Sequence, residues 1–530
     1  MTSEVGPRPD RSVVQILEAE KDKGWHMNPR LARLYALLVP ACLMICVTNG
    51  YDSSLLNGLQ SVPKWEEYFD HPTGAILGFM SASYPLGAIL STPFSALISD
   101  RYGRRWSIFI GSIIMIAGVA IQTASNSLAP FIVSRIVVGF GITLALTAGP
   151  VLISELVHPS HRVFVTALYA TTFYVGSLIC AWVVYGTLNL SSSWAWRTPT
   201  LLQAFPAVFQ VAFIWTLPES PRWLINKGRE EEAFNILATY HANGNTEDDL
   251  VLAEYHEIRS VLAAERTMEG NGAKLFFATP GNRRRLLILI ILAVAGQWSG
   301  NGLVSYYLSK ILSTIGITEP REQLKINGAI TCTNYATSVF AAICAARLGR
   351  RWLFVGGGVG MWATFSALTI GIAVYNELSL DGAGKAALAF IFIYYSTFNF
   401  ALNPTLYLYP SEILPFSLRA TGMSVLIFTN KAALFFNQFV NPIGMDDLGW
   451  KYYLVYVAWL AVEVGLFWAF FPETYGLTLE AIGEVFDGVR DNTQTTSTAV
   501  THVHKRSNCL PQPRAPMPPI GRVMIGSDAL

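Results

Sequence analysis

The sequence predicts an all-α membrane protein with twelve transmembrane helices in two six-helix bundles, joined by a cytoplasmic helical linker domain. Three observations carry that expectation. First, 52% of the 530 residues are hydrophobic and 14% are charged, well under the roughly one quarter charged in a soluble domain. Second, the apolar residues gather in runs of about 20, the length that crosses a bilayer. Third, charged landmarks repeat. Asp100-Arg101-Tyr102-Gly103-Arg104-Arg105 has a near copy in Arg347-Leu348-Gly349-Arg350-Arg351. Ser154-Glu155 with Arg162 recurs as Ser411-Glu412 with Arg419, and Pro218-Glu219-Ser220 as Pro472-Glu473-Thr474. Three landmarks in one order at nearly one spacing imply an internal duplication, with a period far too long for a solenoid. Two membrane halves repeating in the same direction point to a transporter whose substrate site lies between them near mid-bilayer.

The elements follow in order. Residues 1–33 are polar and lack a signal-peptide core, so the first span itself is expected to direct insertion. Spans are expected at 34–57, 74–98, 106–126, 130–153, 164–188 and 197–217, making a first bundle over 34–217. The segment 218–284 carries Ala233, Phe234, Ile236, Leu237 and Tyr240, then Val251, Tyr255, Ile258 and Leu262, at helical spacing. It reads as two or three short amphipathic helices. The second bundle, 285–472, holds spans at 285–312, 325–346, 352–375, 386–409, 421–443 and 452–472. The tail, 473–530, turns rich in Thr, Ser and Pro and is expected to be disordered after about residue 488. Basic residues crowd alternate links, so the positive-inside rule makes those links and both termini cytoplasmic. Trp194, Trp196 and Trp450 fall at outer interfaces, and Asn189-Leu190-Ser191 is an outer-side sequon close to the membrane.

Composition also excludes classes. A net charge of +1 implies no nucleic-acid partner. Five of the six cysteines sit in apolar spans, the eight histidines form no cluster, and no Gly-rich phosphate loop precedes a helix. No enzyme chemistry, metal or cofactor is indicated.

Charges inside the spans are informative because each costs about 2.5–3.5 kcal/mol at mid-helix. Asp52 lies near the outer end of span 1 and Arg135 near the outer start of span 4, each roughly 7 Å deep at 1.5 Å per residue. Matched depth predicts that they face each other. Phe392 occupies the duplicate position of Arg135, so the pair belongs to one half alone. A carboxylate held by an arginine binds protons weakly, and one released into an apolar pocket binds them readily. The pair therefore reads as a proton switch, or else as a static ion pair. Lys431, beside Asn430 in span 11, is too far from an interface to snorkel, so it is expected to face a cavity. There it either contacts substrate or tunes a carboxylate such as Glu463, its acidic candidate at similar depth. Among the cytoplasmic charges, Asp100, Glu155, Glu219, Glu412 and Glu473 are expected to pair with Arg104, Arg162, Arg222, Arg350 and Arg419 as a gate when the halves close. Anchoring of helix ends is the plainer reading, and both can hold.

At these residues the chain resembles the sugar-porter family of the major facilitator superfamily, from about residue 34 to 487. The motifs are Asp-Arg-Tyr-Gly-Arg-Arg at 100–105, Arg135 with Gly139 and Gly141, and Pro218-Glu219-Ser220-Pro221-Arg222-Trp223-Leu224. Ser411-Glu412-Ile413 with Pro415 and Arg419, and Pro472-Glu473-Thr474 with Gly476, Leu479 and Glu480, complete the set. The resemblance implies a two-bundle alternating-access transporter in the plasma membrane, working as a monomer in the lipid bilayer. In proton-coupled members an Asp stands at the position of Asp52 and facilitative carriers have Asn, so the proton is the implied coupling ion.

The sugar contacts carry over unevenly. Gln297 matches the second family glutamine of span 7, while Gly296 replaces the first and Gly302 replaces an Asn, with Asn301 one place earlier. Asn334 matches a sugar-binding Asn, Tyr407 replaces a Trp, and Ala170 and Ser177 replace glutamines. Ala346 replaces the duplicate of Asp100. Asn430 and Lys431 join this group, and Tyr306, Tyr307 and Tyr407 supply aromatic faces for a sugar ring. Fewer long amides leave more room, and the segments around Asp52, Gln297 and Asn437 resemble a fungal lactose-permease-like branch. A disaccharide of the lactose or cellobiose type is therefore expected, with a hexose as the alternative. An uncoupled facilitator and a non-transporting sugar sensor remain as rival functions.

Overall fold

The computed structural model of the chain describes residue 16 and residues 28–268, 272–345, 348–476 and 479–487. Most of segment 1–33, Ala346 with Arg347, and the tail expected to be disordered lie outside the described residues. The first half consists of α1 (Pro29–Leu59), α2 (Gly74–Tyr102), α3 (Arg104–Ala124), α4 (Leu128–Leu156), α5 (Arg162–Thr187) and α6 (Trp194–Thr216). Pro40 lacks an N–H, and α1 widens there into a π-helical turn over Val39–Leu43. Among the described residues the linker holds four helices rather than the two or three expected: α7 (Pro221–Asn226), α8 (Glu230–His241), α9 (Asp249–Met268) and α10 (Gly272–Ala278). Leu224, Ala233, Leu237, Val251 and Tyr255, spaced for one helix face, meet in a small core of their own.

In the second half, span 7 is broken into α11 (Pro280–Trp298), α12 (Asn301–Tyr306) and α13 (Leu308–Thr314). The first break is backbone-encoded, since Gly300 takes φ +99°, a left-handed value that side-chain-bearing residues avoid. Helices α14 (Pro320–Ala345) and α15 (Arg350–Leu378) follow. Span 10 divides at Asn403-Pro404 into α16 (Asp381–Ala401) and α17 (Thr405–Ile413), because Pro404 cannot donate to the helix ladder. Helices α18 (Phe416–Leu448), α19 (Tyr452–Phe470) and α20 (Leu479–Asp487) complete the described chain. Among the described residues these helices make twelve spans, six in each half.

Small residues bring helices to backbone contact. A Cβ at Gly50 would overlap the Phe173 carbonyl, so α1 and α5 meet directly beside Asp52. Between the halves, Gly78 of α2 lies on the Phe439 carbonyl of α18, and Gly328 of α14 lies on the Trp182 ring of α5. On the face opposite the linker helices, Asn57 donates to Asn327 at 3.1 Å and accepts from the Leu308 N–H at 3.1 Å, and Gln60 donates to the Tyr306 carbonyl at 2.9 Å. The halves are thus closed against each other on this far face. Trp196 departs from expectation. Instead of anchoring at an interface it is wholly buried among Tyr68, Phe69 and Phe131. Trp194 is half exposed, and Trp450 donates its indole N–H to Glu377 at 3.1 Å.

Candidate functional site: a buried carboxylate between two halves

Asp52 is fully buried in α1, where Gly50 draws α5 close behind it. Arg135 of α4 donates through Nη1 to Asp52 Oδ1 at 3.2 Å, and Gln203 of α6 donates its amide to the same oxygen. Oδ2 has no hydrogen-bond partner among the described residues. The Arg135 guanidinium lies 5.6 Å from the centroid of Tyr84, whose hydroxyl donates to Asn49 at 2.9 Å. Asp52, Ser53, Arg135 and Tyr84 from the first half line a small cavity closed by Tyr306 and Gln438 from the second. The carboxylate therefore looks onto the seam between the halves.

A second polar group lies along the second half. Gln297 Nε2 donates to Asn430 Oδ1 at 3.2 Å, and Asn430 Nδ2 donates to the Ala293 carbonyl at 3.0 Å. Asn399 Nδ2 donates to Asn334 Oδ1 at 3.1 Å, and its own oxygen accepts from Tyr174 of the first half at 3.0 Å. Tyr407 is 54% exposed and Lys431 is half-buried. Lys431 lies two helical turns before Gln438 on the same face of α18, hence on the side that meets the Asp52 cavity. The acid suggested for it is elsewhere, since Glu463 accepts from Ser299 at 2.8 Å. Two expected sugar contacts are otherwise engaged. Tyr307 is wholly buried with its hydroxyl on the Gln438 carbonyl at 2.6 Å, and Asn301 turns back on the Gly302 N–H at 2.8 Å.

A family model described as "Sugar (and other) transporter" matches residues 37–486. The chain belongs to that family. Similar curated proteins include "Sugar transporter STL1" of Saccharomyces cerevisiae, 30% identical over 84% of this chain and 80% of that one. A "High-affinity glucose transporter" of Kluyveromyces lactis is 27% identical over 86% of each. Among solved structures, the inward open conformation of the xylose transporter XylE from E. coli has a TM-score of 0.70 at 23% identity, covering 86% of this chain and 100% of that one. That last likeness concerns the fold. The protein is a membrane sugar-porter-family transporter, not an enzyme.

In this transporter the duplicated charges pair inside each half, not across the seam. Arg104 Nε lies 3.3 Å from Glu155, and Nη1 lies 3.6 Å from the exposed Asp100. Arg350 binds Glu412 at 2.9 and 3.1 Å, and Thr474 donates to the same carboxylate at 2.6 Å. Glu219 accepts from the N–H groups of Arg104 (3.1 Å) and Arg105 (3.2 Å) and so caps α3. Glu473 caps α15 in the same way, from Arg350 at 2.7 Å and Arg351 at 3.1 Å. The copies differ electrostatically. Burial pushes the Glu219 carboxyl above the usual carboxylate range despite its N–H donors. Burial also pushes on Glu473, but the N–H groups of Tyr475, Arg350, Arg351 and Thr474 outweigh it and hold that carboxyl below the range. Arg162 reaches across to Glu254 of the linker at 4.0 Å. Arg222 sits in α7, and Arg419, in the first turns of α18, has no carboxylate within ion-pair distance among the described residues.

Gln203, Tyr174, Asn399 and Asn403 were not singled out from the sequence. Their signal was present. Gln203 is a lone amide in Leu201-Leu202-Gln203-Ala204-Phe205, and Asn399 with Asn403 forms an i, i+4 pair on one face of an apolar span.

Proposed function

We propose that the chain carries a sugar across the plasma membrane by alternating access, both termini cytoplasmic, and couples each passage to a proton at Asp52. The single observation behind this reading is a buried carboxylate, bonded to Arg135 and Gln203, on a cavity whose wall comes from both halves. When the halves separate there, Tyr306 and Gln438 leave and the carboxyl meets water. When they close, its proton affinity depends on whether Arg135 still bonds it. Sugar hydroxyls need neutral donor–acceptor groups, which Gln297, Asn334, Asn399 and Asn430 supply, with the exposed Tyr407 ring beside them. The linker-face pairs hold helix ends together so that each half moves as a rigid body.

The sugar is read here as hexose-sized. The room expected beside Gly296 and Gly302 is taken, since a Cβ at Gly296 would lie 3.3 Å from Asn430 Nδ2 and one at Gly302 would overlap Asn437. Ser177 is also buried, donating to the Gly50 carbonyl at 3.0 Å. The relatives named as glucose transporters agree with that size. A lactose- or cellobiose-type disaccharide stands as the alternative, favoured by the small, exposed side chain of Ala170. Uptake of labelled glucose, xylose, lactose and cellobiose in a transport-deficient host, with and without a protonophore, separates these. Hexose uptake abolished by the protonophore is expected. Protonophore-insensitive accumulation refutes the coupling, and uptake of a disaccharide alone refutes the size.

A further inference from the structure

We propose that Glu463 of α19 is carried as the neutral acid and serves as a positioning residue that braces the break between α11 and α12. The carboxyl is buried, 1% exposed, in the interior of the second half. Its Oε1 lies 2.8 Å from the Ser299 hydroxyl, which also lies on the Ala295 carbonyl oxygen. One hydroxyl carries one proton. If Glu463 were ionised, Ser299 would face two acceptors with a single donor, and one would go without. If Glu463 is protonated, its O–H donates to Ser299 Oγ and the Ser299 O–H donates to Ala295, so both of these bonds are made. Among the described residues no Lys, Arg or His forms an ion pair with Glu463. Its second oxygen has no hydrogen-bond partner among the described residues either. An unpaired buried carboxylate would be costly, and a carboxylic acid is not.

The location gives the acid something to do. Ser299 is the first of the two residues between the helix segments, directly before Gly300 in its left-handed turn. Its carbonyl accepts from Tyr394 of α16 at 2.6 Å, and the preceding Trp298 donates to the Ala433 carbonyl of α18 at 3.0 Å. Gln297, one residue before Trp298 in α11, is bonded to Asn430. Glu463 thus pins the hinge from α19 and sets where Gln297 presents its amide.

The test has two arms, and only the flux arm rests on the sugar-transport reading above. Infrared difference spectroscopy of the reconstituted wild type against Glu463→Gln at neutral pH is expected to show loss of one carboxylic-acid carbonyl band. Loss of a carboxylate band instead, or of no acid band, overturns the proposal, and this arm needs neither sugar nor proton gradient. In flux, Glu463→Gln replaces the acid donor with an amide donor and is expected to keep KM within about twofold. Glu463→Leu, which leaves Ser299 without its partner, is expected to raise KM about fivefold, the effect of one lost neutral hydrogen bond. Equal impairment by Gln and Leu overturns the proposal, and if the Leu variant fails to fold, the Gln variant and the infrared arm still decide it.

Discussion

At the scale of single residues, Arg135 bonds Asp52 from the first half, and Lys431 lies on the same face of α18 as Gln438, which lines the Asp52 cavity. Arg135 was legible beforehand because membrane depth follows from counting residues, and a charge at matched depth has few places to go. Gln203 was not, because an amide in an apolar run announces burial without naming its partner. Lys431 shows the limit of depth as a guide. Glu463 lies at a broadly similar depth, but α19 packs behind α11, and the lysine faces the seam instead. A cation on the Asp52 side favours the ionised carboxylate. Lys431→Met is therefore expected to move the pH profile of uptake to higher pH, while Lys431→Arg leaves it in place. A Met variant whose pH profile matches wild type but whose KM rises would return Lys431 to the sugar site.

At the scale of elements, the repeated motifs were readable as repeats, and their partners were not. Hydropathy and spacing report span length, so the breaks at Gly300 and Pro404 appeared only as uninterrupted apolar runs. Gly300→Ala places a Cβ at φ +99° and against the Phe365 ring. It is expected to cost about 1–2 kcal/mol, the penalty of a left-handed residue with a side chain, read as a lower melting temperature in detergent. Unchanged stability would mean that the break relaxes freely.

The linker helices dock on the first half through a pH-dependent contact. His241 of α8 lies with Nδ1 2.5 Å from Glu254 Oε2 and Nε2 3.3 Å from the Leu156 carbonyl at the end of α4. Carboxylate and carbonyl both accept, so both ring nitrogens donate and the ring is an imidazolium. Burial pushes its pKa down, but the charge and hydrogen bond of Glu254 and the Leu156 carbonyl outweigh burial and the opposing Arg162. The folded pKa stands above the unfolded value of about 6.5. The contact therefore contributes fully below about pH 6.5 and fades as pH rises through the folded value. The stability difference between wild type and His241→Leu, followed by thermal unfolding across a pH series, is expected to be greatest in acid and to shrink in alkali. A difference that grows with pH would contradict the assignment.

For the whole molecule, the duplication, the twelve spans and the one-sided buried ion pair were all visible in the sequence, because each rests on counting residues and charges along the chain. The arrangement of pairs was not. Arg104–Glu155 and Arg350–Glu412 turn out to be repeated within each half, which follows from duplication itself, since a pair present in the ancestral bundle is copied intact. The halves meet through α2 with α18 and α5 with α14, and Asp52 lines a cavity on that seam. The central claim is that Asp52 makes this seam proton-driven. The most direct measurement is sugar movement by Asp52→Asn in proteoliposomes, as uphill accumulation under an imposed proton gradient and as counterflow between equal sugar pools. Loss of accumulation with counterflow retained is predicted. Accumulation by the variant equal to wild type, at matched protein content, would contradict the account.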